Sequence, residues 1–82
     1  RRLVTARQAT AATAPDYPPA RIKKLRQTVH LSQPVFAKAL NVDADTVRAW
    51  EQGKRTPNGA ALRLLQLTEQ HPEWLLSAVQ TR

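Results

Sequence analysis

Residues 33–52 read QPVFAKALNVDADTVRAWEQ, and the spacing of their apolar side chains decides the fold. Phe36 and Leu40 stand one helical turn apart, and Val42, Val47 and Trp50 continue the series beyond Asn41. That pattern predicts two short helices locked at a crossing angle, with these five side chains in the seam. Ala37 has to be small, because the second helix passes close to it. Asn41 falls at the turn, where the backbone needs a positive φ, and after Gly it is the residue that tolerates one best. An ordinary helical hairpin shares several of these positions. A small Ala37, a turn-competent Asn41 and a basic chain together favour a helix-turn-helix.

Outward from this unit the chain stays helical. Upstream, Ser32 suits an N-cap, since its hydroxyl can accept a free backbone N–H, and Pro34 is tolerated in the first turn. Val35, Phe36, Ala39 and Leu40 are expected to form that helix's buried face. A first helix starts at Pro19, where a missing N–H costs nothing, and carries Ile22, Leu25 and Val29 on one face. The third helix is expected from about Asp43 to Gln52, ending at Gly53. KRTPNG (54–59) reads as a loop, and GAALRLLQLTEQ (59–70) as a fourth helix. Its apolar residues Ala61, Leu62, Leu64, Leu65 and Leu67 make a stripe too wide for one packing partner. His71-Pro72 breaks the run, and PEWLLSAVQ (72–80) reads as a short fifth helix. Residues 1–19 differ: three Arg, repeated Ala and Thr, Pro15, Pro18 and Pro19, and little to bury beyond Leu3, Val4 and Tyr17. We expect a flexible arm over 1–19 and an all-α domain over 20–82.

Composition narrows the function. Thirteen Lys/Arg against six Asp/Glu give a net charge of +7 and a pI near 11.2, which favours a polyanionic partner. There is no Cys, and the two histidines are isolated, so disulfide and zinc chemistry are not expected. No apolar run approaches the ~20 residues of a membrane span, and no signal-peptide core opens the chain. A soluble, cytoplasmic protein is expected. The chain does not begin with Met, so residues can precede Arg1. No nucleophile–base pair, phosphate-binding Gly loop or metal cluster points to an enzyme.

The segment SQPVFAKALNVDADTVRAWEQGKRTPNGAALRLL (32–65) resembles the Xre/Cro-type DNA-binding domain of phage repressors and bacterial regulators. Within that family it is most similar to HigA-type antitoxins, in which the pattern TV..WEQG.R.P.G.A..LL recurs; it spans Thr46 to Leu65 here. MqsA-type antitoxins share the pattern but carry a cysteine-ligated zinc domain that a Cys-free chain lacks. The resemblance covers about residues 21–76. It implies a five-helix lambda-repressor-like domain without a cofactor, dimeric on a palindromic operator. It also implies a separate segment that binds a RelE/HigB-like ribonuclease toxin. Only the amino-terminal arm is available for that here, with Leu3 and Val4 as anchors and Arg1, Arg2 and Arg7 meeting carboxylates. The family's carboxylate in WEQG is Glu51, and its arginine partner on the first helix corresponds to Arg26.

The DNA-facing residues are expected as follows. Gln33, beside free N–H groups at the second helix's start, suits a phosphate oxygen. Lys54 and Arg55, just past the recognition helix, are the best phosphate ligands, whereas Lys38 and Arg63 face solvent. Asp43 is expected to cap the third helix by accepting N–H bonds from about Asp45 and Thr46. Asp45 has two open roles, capping or accepting from a cytosine N4 amine. Ala44 can meet a thymine methyl, Thr46 a phosphate, and Arg48 guanine or backbone. Trp74, Leu75, Ala78 and Val79 are expected at a dimer seam, with packing on the fourth helix as the alternative. The reading is a dimeric HigA-like antitoxin that represses its own operon. The rivals are a freestanding Xre-type repressor and a module whose basic face binds an acidic protein.

Overall fold

The computed structural model describes residues 11–79. Five helices follow in order: α1 (Pro19–Thr28), α2 (Gln33–Leu40), α3 (Ala44–Glu51), α4 (Gly59–Gln70) and α5 (Pro72–Leu76), with no strand among the described residues. The fold is all-α, as the periodicity predicts.

Four of the five helices start at a residue that satisfies or dispenses with a free N–H. Pro19 and Pro72 open α1 and α5. Ser32 Oγ accepts from the Val35 N–H at 3.4 Å, and Asn58 Oδ1 accepts from the Ala61 N–H at 2.8 Å. Three helices end in the same way, with a residue at positive φ folding the chain back on the last turn. After α1 it is His30 (φ 58°), after α2 Asn41 (φ 64°) and after α3 Gly53 (φ 75°). The bonds are the paired closures of a Schellman turn. His30 N–H donates to Gln27 O (3.0 Å) and Leu31 N–H to Arg26 O (3.3 Å). The equivalents are Asn41 to Lys38 and Val42 to Ala37, then Gly53 to Trp50 and Lys54 to Ala49. Gly53 adopts that backbone at no steric cost, while Asn41 and His30, each with a Cβ, are among the non-glycine residues that tolerate it best.

Phe36, Ile22, Val47 and Leu65 are fully buried, one from each of the first four helices, and Trp50, Leu25, Leu40 and Ala37 surround them. α3 packs on both α1 and α2, while α5 packs on α4 and α2. Removing a ring such as that of Phe36 typically costs about 3–5 kcal/mol, enough to unfold a domain this small.

Three expectations need correction. Val35 is 39% exposed, because Phe36, Ala37 and Leu40 already occupy the inward face of α2. α5 stops at Leu76 rather than near residue 80. There the Ser77 hydroxyl donates to Trp74 O (2.6 Å), and residues 78 and 79 close tighter turns onto Leu75 and Leu76. Tyr17, placed in the arm by composition, is buried in the core at 4% exposure. Its hydroxyl donates to Glu69 Oε1 (2.9 Å), and Arg21 both covers the ring (4.2 Å to its centroid) and binds Glu69 (2.6 Å). The ordered unit therefore begins before Pro19.

Candidate nucleic-acid interface

The third helix is held by chemistry as well as packing. Val47, Ala49 and Trp50 are its buried side. At its C-terminal end Glu51 receives three hydrogen bonds: from Arg26 Nε (2.7 Å), Arg26 Nη2 (3.0 Å) and Gln33 Nε2 (3.1 Å). Arg26 also donates to Leu31 O at 3.1 Å, tying in the α1–α2 turn. The pair is largely enclosed, with side-chain exposures of 14% for Arg26 and 5% for Glu51. Burial pushes the Glu51 carboxyl up. Hydrogen bonds from Arg26 and Gln33, with the charges of Arg26 and Lys23, outweigh that and leave it below its ordinary value. One carboxylate thus clamps α1, α2 and α3 together. Gln33 uses one N–H of its amide on this clamp, and the second N–H remains available to a phosphate oxygen. Gln33 therefore also positions Glu51, a role beside the phosphate contact expected of it.

The outward side of α3 carries Asp45 and Arg48, with side-chain exposures of 80% and 45%. They form an ion pair across one turn, so the helix's lone cation is partly neutralised by its neighbour. Asp43 stands at the N-cap position, but its side chain makes no capping bond. Its backbone carbonyl accepts from Thr46 (3.0 Å) and Val47 (3.3 Å) instead. The carboxylate still lies at the positive end of the helix dipole, an electrostatic rather than a hydrogen-bonded role. Ala44 is half-buried against the core. Thr46 lines a groove of about 430 Å³ with Leu40, Val42, Trp50, Arg55 and Leu64. Lys54 and Arg55 emerge exposed from the turn at Gly53.

A second face is apolar. Leu64 and Leu67 are each 38% exposed, Trp74 is 57% and Leu76 is 42%. Leu64, Leu67 and His71 follow helical spacing, and the Trp74 ring stacks on His71 at 3.9 Å, so these residues form one stripe. Leu75, expected in the seam, points the other way into its own core at 6% exposure. It is removed from the candidate interface; Ala78 is exposed and Val79 half-buried. Leu64 and Leu67 were legible as part of an over-wide stripe, but its outward edge could not be chosen without knowing where α5 lies.

Arg1, Arg2, Leu3, Val4 and Arg7 lie outside the described residues. Arg63 donates to the Ala12 carbonyl, so the start of the described chain runs along α4. Among the described residues no cluster of His, Cys, Asp or Glu can hold a metal, and no helix is long and apolar enough to cross a membrane.

A helix-turn-helix family model matches residues 22–67, which contain α2 and α3 and most of α1 and α4. Antitoxin HigA-2 of Vibrio cholerae serotype O1 is 42% identical over 57 residues, covering 70% of this chain and 55% of the relative. The chain thus spans about half the length of that curated relative.

Proposed function

From the fact that the chain belongs to the Xre-type helix-turn-helix family, we propose that it is a DNA-binding antitoxin. It represses its own operon and neutralises a RelE/HigB-like ribonuclease. Its work is binding rather than catalysis, carried out in the cytoplasm. The observation that carries the DNA-binding half is the clamp at Glu51, which presents one polar helix face rigidly between Lys54–Arg55 and the start of α2. Phosphates are met by Gln33, Lys54, Arg55 and Thr46, and bases by Arg48, Ala44 and Asp45, with Asp43 biasing the helix end. The Asp45–Arg48 pair makes a single domain a weak binder, because Arg48 has to leave a carboxylate to meet DNA. Two domains are therefore needed. They pair through Leu64, Leu67 and Trp74, with Ala78 and Val79 at the rim.

The antitoxin half rests on the likeness to Antitoxin HigA-2. The toxin-binding segment is the stretch before Tyr17, with Arg1, Arg2, Leu3, Val4 and Arg7 as its contacts. Co-expression with the protein encoded beside it tests this. Capture of a small ribonuclease and loss of its RNA cleavage are expected. Operator binding with no captured ribonuclease would instead establish a freestanding repressor.

A further inference from the structure

Lys23 and Lys24 are consecutive, exposed and equally charged, yet α1 turns them to different surroundings. Lys23 lies one turn after Pro19 and one turn before Arg26. Pro19 reaches the end of α3: a Cβ on Gly53 would lie 3.6 Å from its ring. Arg26 reaches the same end through Glu51 at 2.7 Å. Lys23 is therefore held over the C-terminal end of α3, beside the turn from which Lys54 and Arg55 emerge. Its charge is felt by Glu51, consistent with that placement. Lys24 instead lines a shallow recess with Arg21, Leu25, Thr28, Glu69 and Pro72, on the α4–α5 side.

The charge balance around the two is alike, so placement alone separates them: Glu69 is bound by Arg21 and Tyr17, and the Lys24 ammonium, like that of Lys23, forms no hydrogen bond or salt bridge with another described side chain. Glu51 is already saturated by Arg26 and Gln33. Lys23 forms no hydrogen bond or salt bridge with another described side chain, so its ammonium is left to an outside anion.

We propose that Lys23 is a phosphate ligand of the DNA interface, extending the row of Lys54 and Arg55 across α1, and that Lys24 is not. The inference rests on the DNA-binding reading and adds a contact from a helix outside the helix-turn-helix unit. Each phosphate contact contributes roughly 0.9 to the slope of log affinity against log salt. Losing one therefore shrinks the wild-type-to-variant affinity ratio by roughly 3.5-fold between 50 and 200 mM salt, from that same slope.

The test compares full-length wild type, Lys23→Gln, Lys23→Arg and Lys24→Gln on a 30-bp duplex selected by the wild type from a random pool. Binding is measured across that salt range, and thermal unfolding checks that all four chains are folded. The expected result is a slope about one unit shallower for Lys23→Gln, recovery in Lys23→Arg, and no change for Lys24→Gln. Equal slopes for wild type and Lys23→Gln would overturn the inference while leaving DNA binding intact. So would equal losses in both Gln variants, since that is bulk charge. A wild type that selects and binds no duplex overturns the DNA-binding reading and this inference together.

Discussion

Replacing Glu51 with Gln tests how the recognition helix is held. The substitution keeps the size of the side chain and one acceptor oxygen, but removes the charge that Arg26 and Gln33 converge on. Two of the three bonds at Glu51 come from Arg26, whose side chain is only 14% exposed, so its guanidinium would be left facing an amide. Breaking a fully buried pair costs about 3–5 kcal/mol. Arg26 keeps its bond to Leu31 O and some access to water, so about 2–3 kcal/mol is expected here. For a domain of this size that lowers the melting temperature by roughly 8–24 °C. Urea unfolding followed by circular dichroism at pH 7 reads it directly. Arg26→Met with Glu51→Leu should be less damaging than Glu51→Gln, because an apolar pair strands no charge. The pH dependence has a fixed sign. The folded-state Glu51 carboxyl lies below its ordinary value of 4.5, so its contribution is present above that pH. It is lost as pH falls through the folded value, and Glu51→Gln should flatten the acid limb accordingly. A loss under about 0.5 kcal/mol at pH 7, a typical surface-mutation effect, would refute the clamp.

Four other outcomes follow from particular residues. Tyr17 is the chain's one tyrosine, and burial, then its bond to Glu69, pushes its hydroxyl up to about 12. Its absorbance near 295 nm should therefore titrate about two units above that of the unfolded chain. The stability it contributes holds below its ordinary value of 10.0 and is lost as pH rises toward 12. His30→Gly should raise stability by about 0.5–1 kcal/mol in urea, since Gly removes the strain of a Cβ at φ 58°. A chain starting at Ala11 should melt like the full chain, whereas one starting at Pro18 should lose about 3 kcal/mol or more with the Tyr17 ring. Lys54→Ala with Arg55→Ala should weaken binding to all duplexes alike and flatten the salt slope by about two units, measured by anisotropy at several salt concentrations.

The helical framework was legible because local signals agree with tertiary ones. Ser32, Asn41, Gly53 and Asn58 stand where the chain has to cap or turn, and Phe36, Leu40, Val47 and Trp50 repeat at helical spacing. Other features were not. Tyr17 reads as part of a proline-rich, core-poor arm, and only the folded chain brings it to Glu69, 52 residues away. His30 carries only a weak sign that it adopts a left-handed backbone, and the turn shows itself in the closures from His30 N–H to Gln27 O and from Leu31 N–H to Arg26 O. At the candidate site, Lys54 and Arg55 could be placed from the loop alone. The partner of Gln33 could not, because the α2–α3 crossing decides which donor reaches Glu51. Asp45 reads as a cap or a base contact, and its pairing with Arg48 emerges only when both side chains are placed on one face of α3.

The central claim is that α3 and the cations around its ends form a DNA-binding face. Selection of duplexes from a random pool by the full-length chain, followed by titration of the enriched duplex from 50 to 200 mM salt, tests it most directly. The expected result is an enriched, two-fold-symmetric sequence, bound by two chains, with affinity falling linearly in log–log form as salt rises. No enrichment, or an affinity indifferent to salt, would contradict it.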